Sequence, residues 1–321
     1  MLVPFLIAAL WGAAPIVRSQ AIEPWPSRLT TIVVGYPAGS GIDTTARFVA
    51  DQLRQRTGQP FIVENRAGAL GRIGATYVSK AKPDGYTALL HPASLVTYPY
   101  LFKDVSFNPV TDFAPVTTIT KVYYVLVVNP ALVPVNTVSE LTAYIKARPG
   151  ALAYGSGAAN PEIAATLFKN LAGFDAINVR YVGMPAAVND LLGGRIQFTF
   201  ADSTLALAQV RGGKIKALGV AAANRMATWP EVPTMVEAGL SGFEDFSSWM
   251  AVFFPANTPM AARESFSRLL NSVMAGDEAR THLPRFAMDP FPGSPEKTQE
   301  FVASEYARYA ALIKAAGITP Q

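Results

Sequence analysis

The chain of 321 residues is long enough for two domains of ordinary size, and half of its residues are apolar. Its formal net charge of +4 is spread along the sequence, without the basic cluster typical of nucleic-acid binders. Because the chain has no cysteine, disulfides, thiolate metal sites and thiol nucleophiles are excluded.

The first predicted element is an apolar stretch from Leu2 to Val17, followed by Ser19-Gln20-Ala21. This small-x-small triplet has the form that signal peptidase accepts. The stretch is shorter than the ~20 residues that span a bilayer as a helix, although a membrane anchor is the alternative and no Lys or Arg precedes the stretch. We predict that residues 1–21 are a signal peptide, which implies a secreted protein.

From Leu29 onward, short β-branched runs alternate with longer stretches of helical periodicity. This βαβ rhythm is typical of α/β proteins with mainly parallel sheets flanked by helices. In the first part, strands are predicted at 30–34, 61–63 and 86–90, a helix from near Ile42, and a helix over 71–80 with Ile73, Tyr77 and Val78 inward.

Two β-rich runs, 113–120 and 122–128, follow, and we interpret the second as a strand that leaves the first sheet. A run at 252–254 indicates a return strand, and the tail from Pro259 is helical by its spacing. Between them, helices are predicted at 138–147, 162–171, 186–192 and 204–210, and strands at 152–154, 177–181, 196–200 and 216–220.

The crossing and the return predict two domains, one over 27–122 plus 247–321 and the other over 123–246. Two domains joined by more than one connection can close on a ligand by a hinge motion. The expected cleft lies at the carboxyl ends of the strands.

A Gly-rich segment stands between a predicted strand and a predicted helix in each domain: 35–41 and 155–160. Such junctions leave unpaired backbone N–H groups near the positive end of a helix dipole, which favours an anion. If the domains face each other, both loops can hold one carboxylate ligand. Side-chain donors are available from Ser40, Thr44, Ser156 and Asn160, whose alternative role is helix N-capping.

Further candidates lie near the expected cleft. His91 ends the third strand and is either a cleft contact or a buried or turn-capping residue, while Asp202 either binds a ligand donor or caps the following helix. Tyr36 and Trp249 are candidate apolar walls. The loops contain neither a P-loop nor a complete G-x-G-x-x-G motif, no G-x-S-x-G elbow surrounds Ser40 or Ser156, and no metal-ligand pattern occurs, so we expect no cofactor.

Ordered motifs across nearly the whole mature chain resemble those of the tripartite tricarboxylate transporter substrate-binding receptors, the Bug family. The matching segments are Tyr36-Pro37-Ala38-Gly39-Ser40-Gly41-Ile42-Asp43, Val63-Glu64-Asn65-Arg66-Ala67-Gly68-Ala69, Lys82-Pro83-Asp84-Gly85-Tyr86-Thr87, Asp112-Phe113-Ala114-Pro115-Val116, Asp190-Leu191-Leu192-Gly193-Gly194 and Pro230-Glu231-Val232-Pro233-Thr234.

The resemblance implies a two-domain Venus-flytrap protein of the periplasm that delivers organic acids to transmembrane permease subunits, and we expect a monomer without enzymatic activity. The alternatives are a ligand sensor for a signalling system and an α/β hydrolase. On the family pattern, the ligand contacts are Ala38, Gly39, Ser40, Asp43, Gly155, Ser156, Gly157 and Asp202.

One departure from the family pattern is His91-Pro92-Ala93-Ser94, where a Gly/Ser/Thr-rich segment is usual. It adds His91 and Ser94 to the candidate site. With Tyr36 and Trp249 nearby, it suggests an aromatic or bulky carboxylate rather than a simple succinate-like acid.

Overall fold

The computed structural model describes residues 25–244, 246, 248–315 and 317–320. The predicted signal peptide lies outside the described residues. The chain forms two mixed sheets flanked by helices, so the predicted α/β class is confirmed. Among the described residues, no helix is both long and apolar enough to cross a bilayer.

The elements around the first sheet come from both ends of the chain. They are β1 (Thr30–Val34), α1 (Gly41–Thr57), β2 (Phe61–Asn65), α2 (Arg72–Ser79), β3 (Thr87–Pro92), α3 (Ser94–Leu101), β4 (Phe113–Val122), β10 (Ser248–Pro255), α8 (Met260–Ala275), α9 (Asp277–His282), β11 (Asp289–Pro290) and α10 (Pro295–Ala315). The strand order in this sheet is β11-β4-β10-β3-β1-β2. Its central strands are fully buried, as at Val33, Leu89 and Phe253, and each such side chain contributes about 1.5–3 kcal/mol.

The elements around the second sheet come from the middle of the chain. They are β5 (Tyr124–Val128), α4 (Val138–Lys146), β6 (Ala153–Ser156), α5 (Ala159–Ala172), β7 (Ile177–Arg180), α6 (Met184–Leu192), β8 (Phe198–Asp202), α7 (Ser203–Arg211) and β9 (Lys216–Ala221). The strand order in this sheet is β7-β6-β8-β5-β9.

The chain crosses between the sheets twice, through Tyr123 between β4 and β5 and through the connection from Ala221 to Ser248. Both strands that begin after a crossing run antiparallel to their neighbours: β5 against β8 and β9, and β10 against β3 and β4. The chain thus leaves the first sheet after β4 and returns to it at β10, as the predicted departure and return require.

Helix α2 corrects one predicted face. Ile73 and Tyr77 are 51% and 39% exposed rather than inward, whereas Val78 is buried as predicted. The helix instead turns Gly74 toward the first sheet, where a Cβ on Gly74 would lie 2.7 Å from the Gly35 Cα. Helix α2 can approach Gly35 this closely because both residues at the contact, Gly35 and Gly74, lack a side chain.

The segment around residue 155 also differs from its prediction. Strand β6 includes Gly155 and Ser156, which were expected in the loop, and α5 begins already at Ala159. Only Gly157 and Ala158 connect the two elements. Helix α3 was not predicted, because its β-branched and aromatic residues and the internal Pro99 disfavour a helix locally.

Candidate functional site

A small cavity of about 40 Å³ lies between the carboxyl ends of strands from both sheets; we call it the cleft. A volume of this size holds a few water molecules, so the two sides are close together. The first-sheet side lines it with Tyr36, Ser40, Gly41, Ile42, Pro92, Val122 and Met250, and the second-sheet side with Tyr124, Ala158, Met184 and Asp202.

On the first-sheet side, the cleft meets the N-terminus of α1. Helix α1 begins directly after the loop that follows β1, and its first N–H groups, on Gly41, Ile42 and Asp43, have no acceptor among the described residues. Ser40 stands at the N-cap without capping these groups, because its hydroxyl donates to the Pro37 carbonyl at 2.7 Å. The first turn of α1 therefore offers unpaired donors to an anion.

On the second-sheet side, the N-termini of α5, α6 and α7 meet the same cavity through Ala158, Met184 and Asp202. The N–H groups of Ala159 and Met184 likewise have no acceptor among the described residues. Because the positive ends of these helices converge with that of α1, the cleft favours negative charge. None of the described residues that line it is a lysine or an arginine.

The two sides touch at glycines. A Cβ on Gly41 would lie 2.5 Å from the Asp202 Oδ1 atom, and a Cβ on Gly183 would lie 2.6 Å from the Pro37 Cδ atom. Neither glycine has a positive φ. Both positions therefore require glycine for contact across the cleft and not for backbone conformation.

Asp202 is the carboxylate of the cleft. It ends β8 and caps α7, where its Oδ1 atom accepts from the Leu205 N–H at 3.2 Å. Burial raises the pKa of Asp202 to about 6 in spite of these backbone hydrogen bonds. The two roles considered for Asp202, capping and lining the cleft, coexist in the structure.

The first Gly-rich loop is braced from within. Asp43 accepts from the Gly39 N–H at 3.0 Å, from Asn65 at 2.9 Å and from Arg47 at 3.0 Å. Burial alone would raise the pKa of Asp43, but these hydrogen bonds, that from Arg47 foremost, lower it. The Gly39 N–H and the Asp43 carboxylate thus pair with each other, and ligand contact by these two residues stays a prediction.

The remaining predicted residues of this loop lie away from the cavity wall. Ala38 is exposed, and Thr44 donates to the Ser40 carbonyl within the first turn of α1. Of the loop residues in the predicted site, Tyr36 and Ser40 line the cleft.

His91 and Ser94 lie behind Tyr36 and are fully buried, so of the two roles considered for His91 the structure favours the buried one. The Tyr36 hydroxyl is 2.9 Å from the Ser94 Oγ atom and donates to the Leu70 carbonyl, which Tyr98 also reaches at 2.7 Å. The Nδ1 atom of His91 is 2.9 Å from the Pro92 carbonyl oxygen, and its Nε2 atom is 3.3 Å from the Tyr98 hydroxyl. Burial lowers the pKa of His91 to about 4, so it is neutral and positions Tyr36 indirectly.

The second predicted loop contributes differently from expectation. Gly155 faces Ile196 and Tyr181 inside the second-sheet side, and the Ser156 hydroxyl donates to Asn178 at 2.9 Å. A Cβ on Gly157 would lie 2.3 Å from the Gly183 carbonyl carbon, so Gly157 permits backbone contact between two loops. These three residues shape the junction, and Ala158 is the one that reaches the cleft.

Asn160 is fully buried on α5 and links the two sides. Its Nδ2 group donates to Ser248 at 3.1 Å and to the Tyr309 hydroxyl at 2.9 Å. Ser248 begins β10 and Tyr309 belongs to α10. Asn160 therefore connects α5 to β10 and α10 and does not line the cleft.

Trp249 is buried outside the cleft. Its Nε1 group donates to Glu305 at 2.8 Å, and its ring contacts Phe301. Because side chains alternate along β10, Met250 lines the cleft and Trp249 points to the other side. The expectation that Trp249 walls the ligand pocket is corrected for this reason.

Sequence reasoning did not single out most residues of the cleft, among them Tyr124, Ala158, Met184 and Met250. Met184 had a usable signal, since Gly183-Met184-Pro185 is another strand-to-helix junction with a proline in the first turn. No group of His, Asp and Glu side chains among the described residues is arranged to hold a metal ion.

Comparison with known proteins identifies the family to which the chain is similar. The family model of the tripartite tricarboxylate transporter family receptor, TctC, matches residues 45–318. Protein BugT of Bordetella pertussis is 31% identical over 315 residues, which cover 97% of this chain and 95% of BugT.

Two solved structures are similar over most of the chain. The Rhodopseudomonas palustris protein Rpa4515, solved with adipate, is 33% identical with a TM-score of 0.88, covering 92% of this chain and all of its own. MatC of the same organism, solved with bound malate, is 27% identical with a TM-score of 0.83 over 90% of this chain and all of its own. These receptors bind substrates and are not enzymes, which removes the hydrolase alternative. The chain belongs to the tripartite tricarboxylate transporter receptor family, TctC, together with the Bug proteins.

Proposed function

We propose that the protein is a periplasmic receptor that closes two domains around a small aliphatic dicarboxylate and delivers it to the permease subunits of a tripartite tricarboxylate transporter. The domains are residues 27–122 with 247–321 and residues 123–246. The observation that carries the proposal is the convergence of unpaired helix N-termini from both sides on one cavity.

Backbone donors suit a carboxylate receptor because they bind charge without a counter-ion. A carboxylate at the first turn of α1 would accept from Gly41 and Ile42, while a second carboxylate would face Ala159 or Met184 across the cleft. A ligand held on both sides is bound most tightly when the domains are closed, and a single ligand can thereby stabilise closure.

Asp202 adds selectivity to this arrangement. Its buried carboxyl group can donate a hydrogen bond when protonated and accept one from a ligand hydroxyl when ionised. A pKa of about 6 makes both states accessible close to neutral pH. We expect hydroxylated dicarboxylates to be accepted beside unsubstituted ones.

The aromatic-ligand hypothesis loses its basis in the cleft. His91 is fully buried and Trp249 lines another cavity, so of the three residues that suggested a ring only Tyr36 borders the cleft. The bound adipate and malate of two relatives are aliphatic dicarboxylates. They support, by analogy, the same class for this chain.

The periplasmic location rests on the apolar stretch from Leu2 to Val17 with its cleavage triplet and on the family. Transport rather than sensing is favoured by the family as well. Co-expression with the permease subunits and measurement of labelled dicarboxylate uptake would test the delivery step.

The binding step is tested by calorimetry on protein freed of carried-over ligand. Aliphatic dicarboxylates of four to six carbons are compared with monocarboxylates of the same length and with phthalate. We expect tight binding of at least one dicarboxylate and much weaker binding of the matching monocarboxylate. Equal affinity for a dicarboxylate and its monocarboxylate would contradict the two-sided clamp.

A further inference from the structure

A second cavity of about 310 Å³ lies beside the two chain crossings; we call it the hinge cavity. One wall is formed by Lys121 and Tyr123 at the first crossing, and another by residues 222–224 at the start of the second. The third wall consists of aromatic rings from β10 and the segments near it. This cavity is separate from the cleft in its position and in its chemistry.

Strand alternation separates the two cavities. Tyr124 and Met250 face the cleft, whereas Tyr123 and Trp249, one residue away in each strand segment, face the hinge cavity. Val122 borders both cavities. The crossing segments are therefore a thin partition between two spaces.

The aromatic wall is rigid. Trp249 is 1% exposed and is fixed by its hydrogen bond to Glu305. Phe301 packs edge-on against Trp249 with ring centroids 5.3 Å apart, and Phe291 packs edge-on against Phe301 at the same distance. Trp249 lies beneath this wall, and the partly buried rings of Phe291 and Phe301 offer flat apolar surface for a planar ligand.

One cation stands at this wall. The Lys121 ammonium lies 5.7 Å from the centre of the Phe291 ring, and among the described residues no carboxylate oxygen is within 4.0 Å of it. Asp289 pairs with Lys121 in the sheet, but its carboxylate accepts from the Tyr123 hydroxyl at 2.7 Å. The ammonium is thus placed to bind a carboxylate of a ligand whose ring rests on the aromatic wall.

We propose that the hinge cavity is a second binding site, for an aromatic monocarboxylate, and that its occupation favours the closed arrangement of the two sides. The walls at Tyr123 and at residues 222–224 belong to the connections about which the sides must move. The hinge cavity has its present shape while the cleft is narrow. A ligand that fits this shape therefore stabilises the arrangement in which the two sides are close together.

The binding test uses 2-naphthoate as the probe, with calorimetry and quenching of tryptophan fluorescence on ligand-free protein. Ala223→Trp fills the cavity from an exposed position, and Lys121→Met removes the charge while keeping the apolar stem. We expect Ala223→Trp to abolish naphthoate binding and Lys121→Met to weaken it about tenfold. Ala151→Trp and Lys214→Met, at exposed positions elsewhere, are the matched controls and should bind as the wild type does.

The coupling test repeats the titration with adipate present at saturation. Because both ligands favour the same arrangement, naphthoate affinity should increase about fivefold, and adipate affinity by the same factor in the reciprocal experiment. Absence of naphthoate binding, or binding that survives Ala223→Trp, would overturn the proposed site. Competition between the two ligands would place naphthoate in the cleft and overturn it equally. The first titration does not use a cleft ligand, so it stands even if no dicarboxylate binds.

Discussion

The contact between Gly41 and Asp202 allows closure of the cleft to be perturbed without disturbing either side. In Gly41→Ala the new Cβ would lie 2.5 Å from the Asp202 Oδ1 atom and 3.2 Å from the Thr204 Oγ1 atom. Comfortable contacts of this kind begin at roughly 3.5 Å, so the two sides would have to separate by about 1 Å. Asp202 cannot turn away freely, because it caps α7.

The expected effect on binding follows from this overlap. Overpacking of this kind costs about 1–3 kcal/mol, and tenfold in affinity corresponds to about 1.4 kcal/mol. We therefore expect Gly41→Ala to weaken dicarboxylate binding about tenfold or more. Gly41 is the first residue of α1, where alanine fits the helical backbone and favours the helix. The melting temperature of the ligand-free variant should accordingly stay the same or rise.

Gly39→Ala is the matched control in the same loop. Gly39 has a φ of +80°, and a methyl group there would meet no atom within 4 Å. Alanine at this position is strained by about 1 kcal/mol, so stability should fall without an obstacle to closure. Calorimetry and thermal unfolding measure both variants. Wild-type affinity in Gly41→Ala, or a loss of its stability as large as its loss of affinity, would refute the reasoning.

Three further predictions concern buried polar groups. Burial raises the pKa of Asp202 to about 6, and the ionised carboxylate repels an anionic ligand, so wild-type dicarboxylate affinity should rise as the pH falls from about 8 to about 6, where the ligand is still a dianion. Asp202→Asn keeps the helix cap and should remove this pH dependence of the affinity in calorimetric titrations. An unchanged pH dependence would argue against Asp202 as its source. Burial lowers the pKa of His91 to about 4, so its contribution to stability is complete above about pH 6.5 and is lost as the pH falls toward 4. Between pH about 7 and about 5, urea unfolding should show a smaller loss of the free energy of unfolding in His91→Gln than in the wild type. An equal loss in both would contradict the lowered pKa of His91. Asn160→Ala removes the hydrogen bonds to Ser248 and Tyr309 and should lower the free energy of unfolding by about 1–3 kcal/mol in the same assay.

The order of elements could be predicted from the sequence because it depends on local patterns. The run at 30–34 and the glycines after it predicted a strand followed by a helix, and β1 and α1 occur there. The same local signals located Ser40 and Asp202 at strand-to-helix junctions. Both residues line the cleft, since all such junctions of parallel strands lie at one edge of a sheet.

The availability of individual N–H groups could not be predicted from the pattern of glycines. Gly39 resembles an anion-binding residue in sequence, yet Asp43 accepts its N–H. That pairing also depends on Asn65 from the neighbouring strand β2, which orients the Asp43 carboxylate. The backbone N–H groups that remain available to a ligand start at Gly41, because the Gly39 N–H already donates to Asp43 within the loop.

The direction of the Trp249 side chain depends on how β10 pairs with β4, a strand distant from it in sequence. An aromatic residue at the start of a return strand can face either side of that strand, and the choice is made by pairing of Trp249 with Lys121 and by the acceptor that Glu305 provides on α10. Neither partner is near Trp249 in sequence. A shift of one residue along β10 would place Trp249 in the cleft and Met250 in the hinge cavity. The register of β10 thus decides whether Trp249 packs against Phe301 or lines the cleft.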